Sequence, residues 1–414
     1  MIPVEEARRI ILERVTPLGA ETVFLGDAAS RVLAEPLVSL RNLPPSDNSA
    51  MDGYGVRADD VKGASPDRPV RLPLVGAQLA GGPSVAEVPP GRAVRIMTGA
   101  PIPPGVDAVV MRELCDESEV TAEGGGTVAI QRAVPVGEAI RKKGEDVAAG
   151  GEVGRPGLVL EPGRINLLAS AGHATVRVHR RPRVALLASG DELKELGQPF
   201  GDDDILNSNV HALAAAVAQA GAEPHLVGIA RDTLDDHRRH IEAAAFADVL
   251  LTIGGVSMGT HDFVRPALEA LGVTLDFWKV AMRPGKPLAF GRRDGQVIFG
   301  LPGNPVSSLV GFELFVRPAL LKMMGQERVV RRSVKALLVG GGMKKKKGVA
   351  FYARARAVLT DEGFTVALEE KQGSGQISGL AWANALCVVA PDVEEVKEGD
   401  RVDVLLLGDE ALFG

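Results

Sequence analysis

The chain has 414 residues, of which 45% are hydrophobic and 24% charged, and its formal net charge is −6. This length exceeds one ordinary domain and supplies apolar material for two to four cores. The charge argues against a protein that coats nucleic acid, and two distant cysteines, Cys115 and Cys387, form neither a disulfide framework nor a zinc site.

The first fifteen residues predict an amphipathic helix, with Pro3 at its start and Glu5 and Glu6 in its first turn. Acidic and arginine residues interrupt every apolar stretch of this segment, so we expect no signal peptide. No stretch of the chain approaches the roughly 18 apolar residues that cross a bilayer. The expectation is a cytoplasmic protein with neither membrane nor nucleic acid as a partner.

The pattern changes along the chain and predicts several domains. Residues 46–146 hold short β-like runs separated by turns and predict a small inserted β domain. Residues 147–178 give a helix and a strand. Because the N-terminal helix needs a partner to pack on, segments 1–45 and 147–178 are interpreted as one discontinuous domain around that insert. Residues 327–414 return to short β runs and predict a small barrel or sandwich.

Residues 179–326 alternate strands with helices, which predicts an α/β domain with a doubly wound parallel sheet. The runs RVALLAS, HLVGIA and ADVLLTIGG are its strands, and Asn209 is a possible N-cap of one helix. Ligand sites in such sheets lie beyond the carboxyl ends of the strands. We therefore expect the catalytic site in this domain.

Gly254 and Gly255 end an apolar run and predict a turn whose backbone can approach a phosphate, with Ser257 as a hydroxyl donor. A Walker loop is not favoured, because Thr260 stands where its lysine should be. A serine-hydrolase elbow fails on chain order, because the last histidine, His261, follows the serine by four residues. A simple tight turn remains the alternative.

Three acids, Glu192, Asp232 and Asp262, each follow a predicted strand. Acids at the strand ends of one parallel sheet converge on one rim, where like charges need a cation. Oxygen ligands of this kind suit Mg²⁺ that bridges to a phosphate. The neighbouring Asp191 and Asp235 have helix capping as an alternative role.

Lys279, Arg283 and Lys286 stand in a Pro/Gly-rich stretch that cannot form a regular helix. They predict an anion clamp, with solvated surface charges as the alternative, because like charges held together favour a bound anion. Three further polar residues lie in turns of the β domain and have no function that spacing can assign: Asp52, Thr98 and Asp146.

Seven segments taken together resemble the molybdopterin molybdenumtransferases, a family that includes the bacterial MoeA proteins and the E domain of gephyrin. In order they are NSAMDGYGV, MTGAPIPPGVDAVV, RKKGEDV, SGDEL, GGVSMGTHDF, WKVAMRPGKPLAFG and GLPGNPVSS. The resemblance extends from about residue 2 to residue 410. It implies a discontinuous elongated domain, a β domain, a molybdopterin-binding α/β domain and a C-terminal β-barrel.

The resemblance also implies a homodimer whose active site is shared, with Asp52, Thr98 and Asp146 of one chain facing the α/β domain of the other. The implied reaction places molybdate at the dithiolene sulfurs of adenylylated molybdopterin. A Mg²⁺-dependent step then hydrolyses the adenylate and releases molybdenum cofactor and AMP. A separate adenylyltransferase and the recipient molybdoenzymes are candidate partners.

Individual roles follow from the same resemblance. Mg²⁺ would be held by Glu192, Asp232 and Asp262. The anion pocket would be formed by Lys279, Arg283 and Lys286, completed from the barrel by Arg354 and Ser374. The family often has lysine where Arg283 stands, and arginine keeps the charge but holds an oxyanion in a planar fork.

Two other classes of function remain as alternatives. The first is a binding scaffold, as the gephyrin E domain is for receptor tails. The second is a nucleotide pyrophosphatase of the competence-damage type, built on the α/β domain alone. Residues 1–178 argue against the second, because a lone α/β domain would not need them.

Overall fold

The structure is a computed structural model that describes residues 1–121, 124–255 and 263–408. Within these ranges no helix is both long enough and apolar enough to cross a membrane. The α-helices are Val4–Arg14, Pro162–Ser170, Ser208–Gln219, Leu234–Ala243, Val264–Ala270, Pro305–Gly311, Arg317–Met323 and Ser378–Ala381, and Phe312–Val316 is π-helical.

A six-stranded sheet forms the centre of the α/β domain. In spatial order its strands are Glu223–Ala230, Arg183–Ser189, Val249–Ile253, Gln296–Leu301, Pro287–Arg293 and Thr274–Lys279. The first four are parallel, which confirms the predicted sheet. Strand Pro287–Arg293 runs opposite to them, and Thr274–Lys279 pairs antiparallel with it and so runs in the direction of the first four. The direction reverses because Asp294 (φ 49°) and Gly295 (φ 85°) form a two-residue hairpin turn, where the chain must return beside itself.

Helices cover both faces of this sheet, as expected for a doubly wound fold. Successive residues of one strand point to opposite faces: Leu186 packs with helix Ser208–Gln219, and Leu187 packs with helices Leu234–Ala243 and Val264–Ala270. All five residues of strand Val249–Ile253 are buried. Burial on both faces explains why the parallel strands read as continuous apolar runs in the sequence.

The N-terminal helix Val4–Arg14 forms as predicted, with Glu5 and Glu6 in its first turn. Its buried residues Val4, Ala7 and Ile11 share a core with the central sheet and with helix Arg317–Met323. An apolar stripe at helical spacing needs an extended apolar partner, and the α/β core supplies one.

Two strand pairings join the first and second parts of the predicted discontinuous domain. Strand Ala20–Phe24 pairs antiparallel with Thr175–His179, and Leu37–Val38 pairs with Glu152–Gly154. The part of the chain between these two segments forms a second six-stranded sheet. Its strands, in spatial order, are Ala108–Met111, Gly53–Val56, Ala93–Ile96, Val70–Gln78, Gly126–Ile130 and Cys115–Val120. The short strands Asn48–Ser49 and Ile140–Arg141 pair beside this sheet.

The C-terminal part is a closed five-stranded barrel, which confirms the barrel prediction. Its strands are Ser333–Val339, Ala350–Thr360, Gly363–Leu368, Ala385–Val389 and Arg401–Leu406. Strand Met282–Arg283 of the α/β domain pairs with the start of strand Ala350–Thr360 and so joins the barrel to the central domain. Two more pairs complete the described strands, Leu193–Lys194 with Ile205–Leu206 and Met343–Lys344 with Glu395–Val396.

Candidate active site

A cleft of about 550 Å³ lies at the carboxyl ends of the parallel strands. This is where a doubly wound sheet is expected to bind its ligand. Three of the residues singled out in the sequence, Glu192, Gly254 and Gly255, line the cleft. Its other polar walls come from Ser189, Asn207, Ser208, Asn209, Asn304 and Ser307.

The turn at Gly254 and Gly255 requires glycine at both positions. Their φ angles are +91° and +63°, which side-chain-bearing residues rarely adopt. A Cβ atom on Gly254 would lie 2.9 Å from the Ser189 carbonyl oxygen, and one on Gly255 would lie 2.5 Å from a Val264 methyl group. The backbone therefore forms part of the cleft wall itself. Ser257 and Asp262, predicted to follow this turn, lie outside the described residues.

The strand-end turns that carry Glu192 and Asp232 lie against each other. The backbone N–H of Asp232 donates to Asp191 Oδ1 at 3.1 Å. Nη1 of Arg231 donates to the carbonyl oxygens of Gly190 and Asp191, at 3.2 and 3.0 Å. Hydrogen bonds therefore join the turns that carry two of the three predicted acids. In the described part of the chain no three acids, histidines or cysteines come close enough to hold a metal ion.

The N-cap residues of two helices differ from those that the sequence suggested. Helix Leu234–Ala243 is capped by Thr233, whose Oγ1 accepts from the N–H of Asp236 at 3.3 Å, and not by Asp235. The N-cap position before helix Ser208–Gln219 is Asn207. Asn209 instead donates from Nδ2 to the Gly303 carbonyl oxygen at 2.6 Å, across the cleft wall. Its amide therefore holds two walls of the cleft together.

The three predicted cations lie on a non-helical stretch, as expected. Lys279 ends strand Thr274–Lys279 and is half-buried, while Arg283 and Lys286 are exposed. The N–H of Val280 donates to the Lys286 carbonyl oxygen at 3.1 Å, which closes the loop. The Arg283 guanidinium lies 5.6 Å from the ring centroid of Phe351, in cation–π contact with the barrel. This contact orients one positive group of the loop.

The barrel contributes Arg354 in an unexpected way. Its side chain is fully buried, and Nε and Nη2 donate to the carbonyl oxygens of Lys371 and Gly373. Burial lowers the pKa of the guanidinium, which Glu369 opposes. Ser374 directly follows Gly373, and its carbonyl oxygen accepts a hydrogen bond from the Val306 N–H at 3.2 Å. Arg354 is therefore placed to hold the loop that carries Ser374, and it does not line the cleft.

Replacing Arg354 with alanine is expected to lower the free energy of unfolding by about 2–3 kcal/mol, because a buried charged donor and its hydrogen bonds to two carbonyl oxygens are lost. Chemical denaturation measures this change. Arg356→Ala, on the exposed face of the same strand, is the matched control and should leave stability nearly unchanged. Equal stability of the two variants would contradict this role of Arg354.

The other three predicted site residues, Asp52, Thr98 and Asp146, lie in the β-rich segment 46–146. Thr98 donates to Asp52 Oδ1 from its backbone N–H at 2.7 Å and from its hydroxyl at 2.8 Å. These two hydrogen bonds, in that order, hold the pKa of Asp52 below its ordinary value, so the exposed group stays ionised. The pairing of Gly53 with Ile96 brings the two residues together. Asp146 is exposed, and its N–H donates to the Leu43 carbonyl oxygen at 3.1 Å.

Replacing Thr98 with valine should raise the pKa of Asp52, because the hydroxyl donor to the carboxylate is lost. The rise should be partial, since the backbone N–H donor remains. Carbon-13 NMR titration of the carboxyl group measures it, and Thr98→Ser should keep the low pKa. An unchanged titration in Thr98→Val would show that the hydroxyl has no effect on this carboxylate.

Sequence reasoning missed several polar residues of the cleft. Ser189, Asn207 and Asn304 line it, yet none was singled out. The segments SGDEL and GLPGNP contain two of them, so their position directly after strands was the available signal. The contact of Ser189 with His237 had no signal, because the two residues are 48 positions apart.

Three family models match the chain. They describe the MoeA N-terminal region (domains I and II) over residues 2–172, a probable molybdopterin binding domain over residues 185–322, and the MoeA C-terminal region (domain IV) over residues 338–407.

Full-length relatives are also found. Molybdopterin molybdenumtransferase of Haemophilus influenzae is 35% identical over 407 residues, 98% of each chain. Molybdopterin molybdenumtransferase 2 of Mycobacterium tuberculosis is 38% identical over 410 residues, 98% of this chain and 99% of the relative. The crystal structure of a molybdopterin biosynthesis MoeA protein from Pyrococcus horikoshii is 30% identical, covers 98% of this chain and 100% of its own, and superposes with a TM-score of 0.82.

Proposed function

Since this chain belongs to the molybdopterin molybdenumtransferases, transferases of molybdenum cofactor biosynthesis, we propose that it inserts molybdate into adenylylated molybdopterin and releases AMP. The observation that supports this most directly is the cleft of about 550 Å³ with Glu192 and the Gly254–Gly255 turn in its walls. Its size suits a ligand of this kind, and its strand-end position suits a phosphate.

The glycine turn and the polar side chains of the cleft bind the adenylylated pterin. Without side chains at positions 254 and 255, the backbone can approach a phosphate group closely. The amides of Asn207 and Asn209 and the hydroxyl of Ser307 offer hydrogen bonds without adding charge. Such a set fixes the orientation of the ligand within the cleft.

Mg²⁺ fits the chemistry of the acid rim, because carboxylate oxygens are its preferred protein ligands. We propose that Glu192 and Asp232, whose turns lie in contact, hold it together with Asp262. When bound, the ion would offset the charge that develops on the phosphoryl oxygens. The role of the carboxylates would be to hold the ion at the strand ends.

Molybdate is an oxyanion, and Lys279, Arg283 and Lys286 form the cationic loop that would receive it. The fork of Arg283 is kept in one orientation by its contact with Phe351. The soft ligands of molybdenum come from the pterin dithiolene, so no cysteine is needed from the protein. Arg354 supports the pocket indirectly, by holding the loop that ends at Ser374.

We further propose that the active site is shared in a homodimer. Asp52 and Thr98 form a defined pair, Asp146 lies exposed in another turn, and none of the three lines the cleft of its own chain. An ionised, exposed carboxylate held by two hydrogen bonds is suited to a substrate that a second subunit presents.

A mixture of two inactive variants tests the shared site. Asp52→Asn and Glu192→Gln are each expected to be nearly inactive, but equal mixing should restore about one quarter of wild-type activity. Half of the dimers are then mixed, and one of the two sites in each mixed dimer is intact. Co-expression followed by an AMP-release assay measures this. Activity no higher than in the single variants would place the complete site within one chain.

The central experiment measures AMP release from adenylylated molybdopterin by the purified protein, with and without molybdate and Mg²⁺. Release that requires both supports the transferase mechanism. Release with Mg²⁺ alone would indicate a pyrophosphatase. Tight pterin binding without release would indicate a scaffold.

A further inference from the structure

A serine and a histidine meet at the wall of the cleft. Ser189, the last residue of strand Arg183–Ser189, lines the cleft and is only 9% exposed. His237, on helix Leu234–Ala243, is fully buried. The Oγ atom of Ser189 lies 2.8 Å from Nε2 of His237, and Nδ1 of His237 lies 2.8 Å from the Thr233 carbonyl oxygen.

These contacts determine where the protons are in the neutral ring. A carbonyl oxygen can only accept, so Nδ1 of His237 carries the ring proton. Nε2 of a neutral imidazole is then an acceptor, and the Ser189 hydroxyl donates to it. Among the described residues no side chain donates to the Ser189 oxygen, so its lone pairs can accept from donors in the cleft.

The Ser189 hydroxyl lies in the cleft wall beside the glycine turn. A Cβ atom on Gly255 would lie 3.3 Å from Ser189 Oγ, so the hydroxyl lies against the glycine turn. His237 also packs near Phe263, with ring centroids 6.1 Å apart, which restricts the ring. Because Thr233 follows Asp232, one imidazole connects the two strand ends that bear the proposed metal ligands.

We propose that Ser189 is a further substrate-binding residue of this cleft and that His237 is the positioning residue that orients it. By accepting a hydrogen bond from the Ser189 hydroxyl, His237 leaves the Ser189 oxygen as an acceptor toward the cleft. Ser189 then receives a hydrogen bond from a donor of the bound complex, either an N–H group of the pterin or a water molecule on Mg²⁺. The identity of the substrate rests on the proposed function.

Binding of adenylylated molybdopterin, measured by calorimetry, tests this in a double-mutant cycle. Ser189→Ala and His237→Leu are each expected to weaken binding about tenfold, as the loss of one hydrogen bond would. The double variant should lose no more than either single variant, because both changes remove the same interaction. Losses that multiply would overturn the positioning role and show that His237 only supports the fold.

A matched control separates positioning from packing. His240 lies on the same helix, and its Nδ1 also contacts the carbonyl oxygen four residues before it, Asp236, at 2.8 Å. His240→Leu should leave the affinity unchanged. Repeating the titrations in EDTA identifies the donor. A tenfold loss that persists without Mg²⁺ indicates the pterin, and a loss seen only with Mg²⁺ indicates a metal-bound water.

Nitrogen-15 NMR of the histidine ring gives a readout that needs no substrate. We expect the Nδ1–H tautomer of His237, with an Nε2 resonance that shifts in Ser189→Ala. An Nε2–H tautomer would overturn the inference. Unchanged affinity of Ser189→Ala would overturn this inference alone. A wild-type protein that does not bind adenylylated molybdopterin would overturn the proposed function as well.

Discussion

Replacing Glu192 with glutamine is expected to lower the rate of AMP release about 100- to 1000-fold, because a neutral amide binds Mg²⁺ far more weakly than a carboxylate does. Glu192 lines the cleft on a turn that contacts the turn of Asp232. A loss of this size corresponds to about 3–4 kcal/mol of transition-state stabilisation. Binding of the adenylylated pterin should change much less, since the glycine turn and the amides of the cleft remain.

A magnesium titration of the same variant shows whether the lost rate depends on the ion. The Glu192→Gln variant should need a higher Mg²⁺ concentration for half-maximal rate. Asp203→Asn is the matched control, because it makes the same chemical change at an exposed position of the neighbouring loop. A Glu192→Gln enzyme with an unchanged Mg²⁺ requirement would exclude Glu192 as a ligand of the ion.

Replacing Arg283 with alanine is expected to raise the molybdate concentration needed for half-maximal activity about 10- to 100-fold. The reason is the loss of a charged, forked donor, which contributes about 1.5–3 kcal/mol to binding an oxyanion. The affinity for the adenylylated pterin should change little, because Arg283 does not line the cleft. Steady-state assays at varied molybdate, together with pterin calorimetry, separate the two effects.

Arg283→Lys should recover part of the molybdate affinity, since it restores the charge without the fork. Arg356→Ala removes an exposed arginine from the barrel strand that carries Phe351, and should leave both affinities unchanged. Equal losses of molybdate and pterin affinity in Arg283→Ala would show that the cationic loop does not separate the two substrates.

The α/β domain could be predicted because its strands are buried on both faces and read as apolar runs. The runs RVALLAS and ADVLLTIGG correspond to strands Arg183–Ser189 and Val249–Ile253. The two strands that form the antiparallel edge of the sheet were not predicted. Thr274–Lys279 and Pro287–Arg293 flank the Pro/Gly-rich cationic stretch, whose polar and proline residues hide the β pattern on either side.

The site could be predicted in part, because the carboxyl ends of parallel strands meet at one edge. This rule placed Glu192 and the Gly254–Gly255 turn in the cleft. It could not show that Arg354 is buried beneath a loop, since burial depends on how residues 371–373 return to the barrel. Nor could it find His237, which reaches Ser189 only through the packing of a helix on the sheet.

The packing of the N-terminal helix has a consequence for biosynthesis of the chain. Val4, Ala7 and Ile11 share their core with helix Arg317–Met323, which is translated about 300 residues later. An isolated helix of 11 residues is marginal in water. The nascent chain must therefore keep an apolar stripe uncovered through most of translation. A fragment that stops before residue 312 should aggregate unless a chaperone shields that stripe.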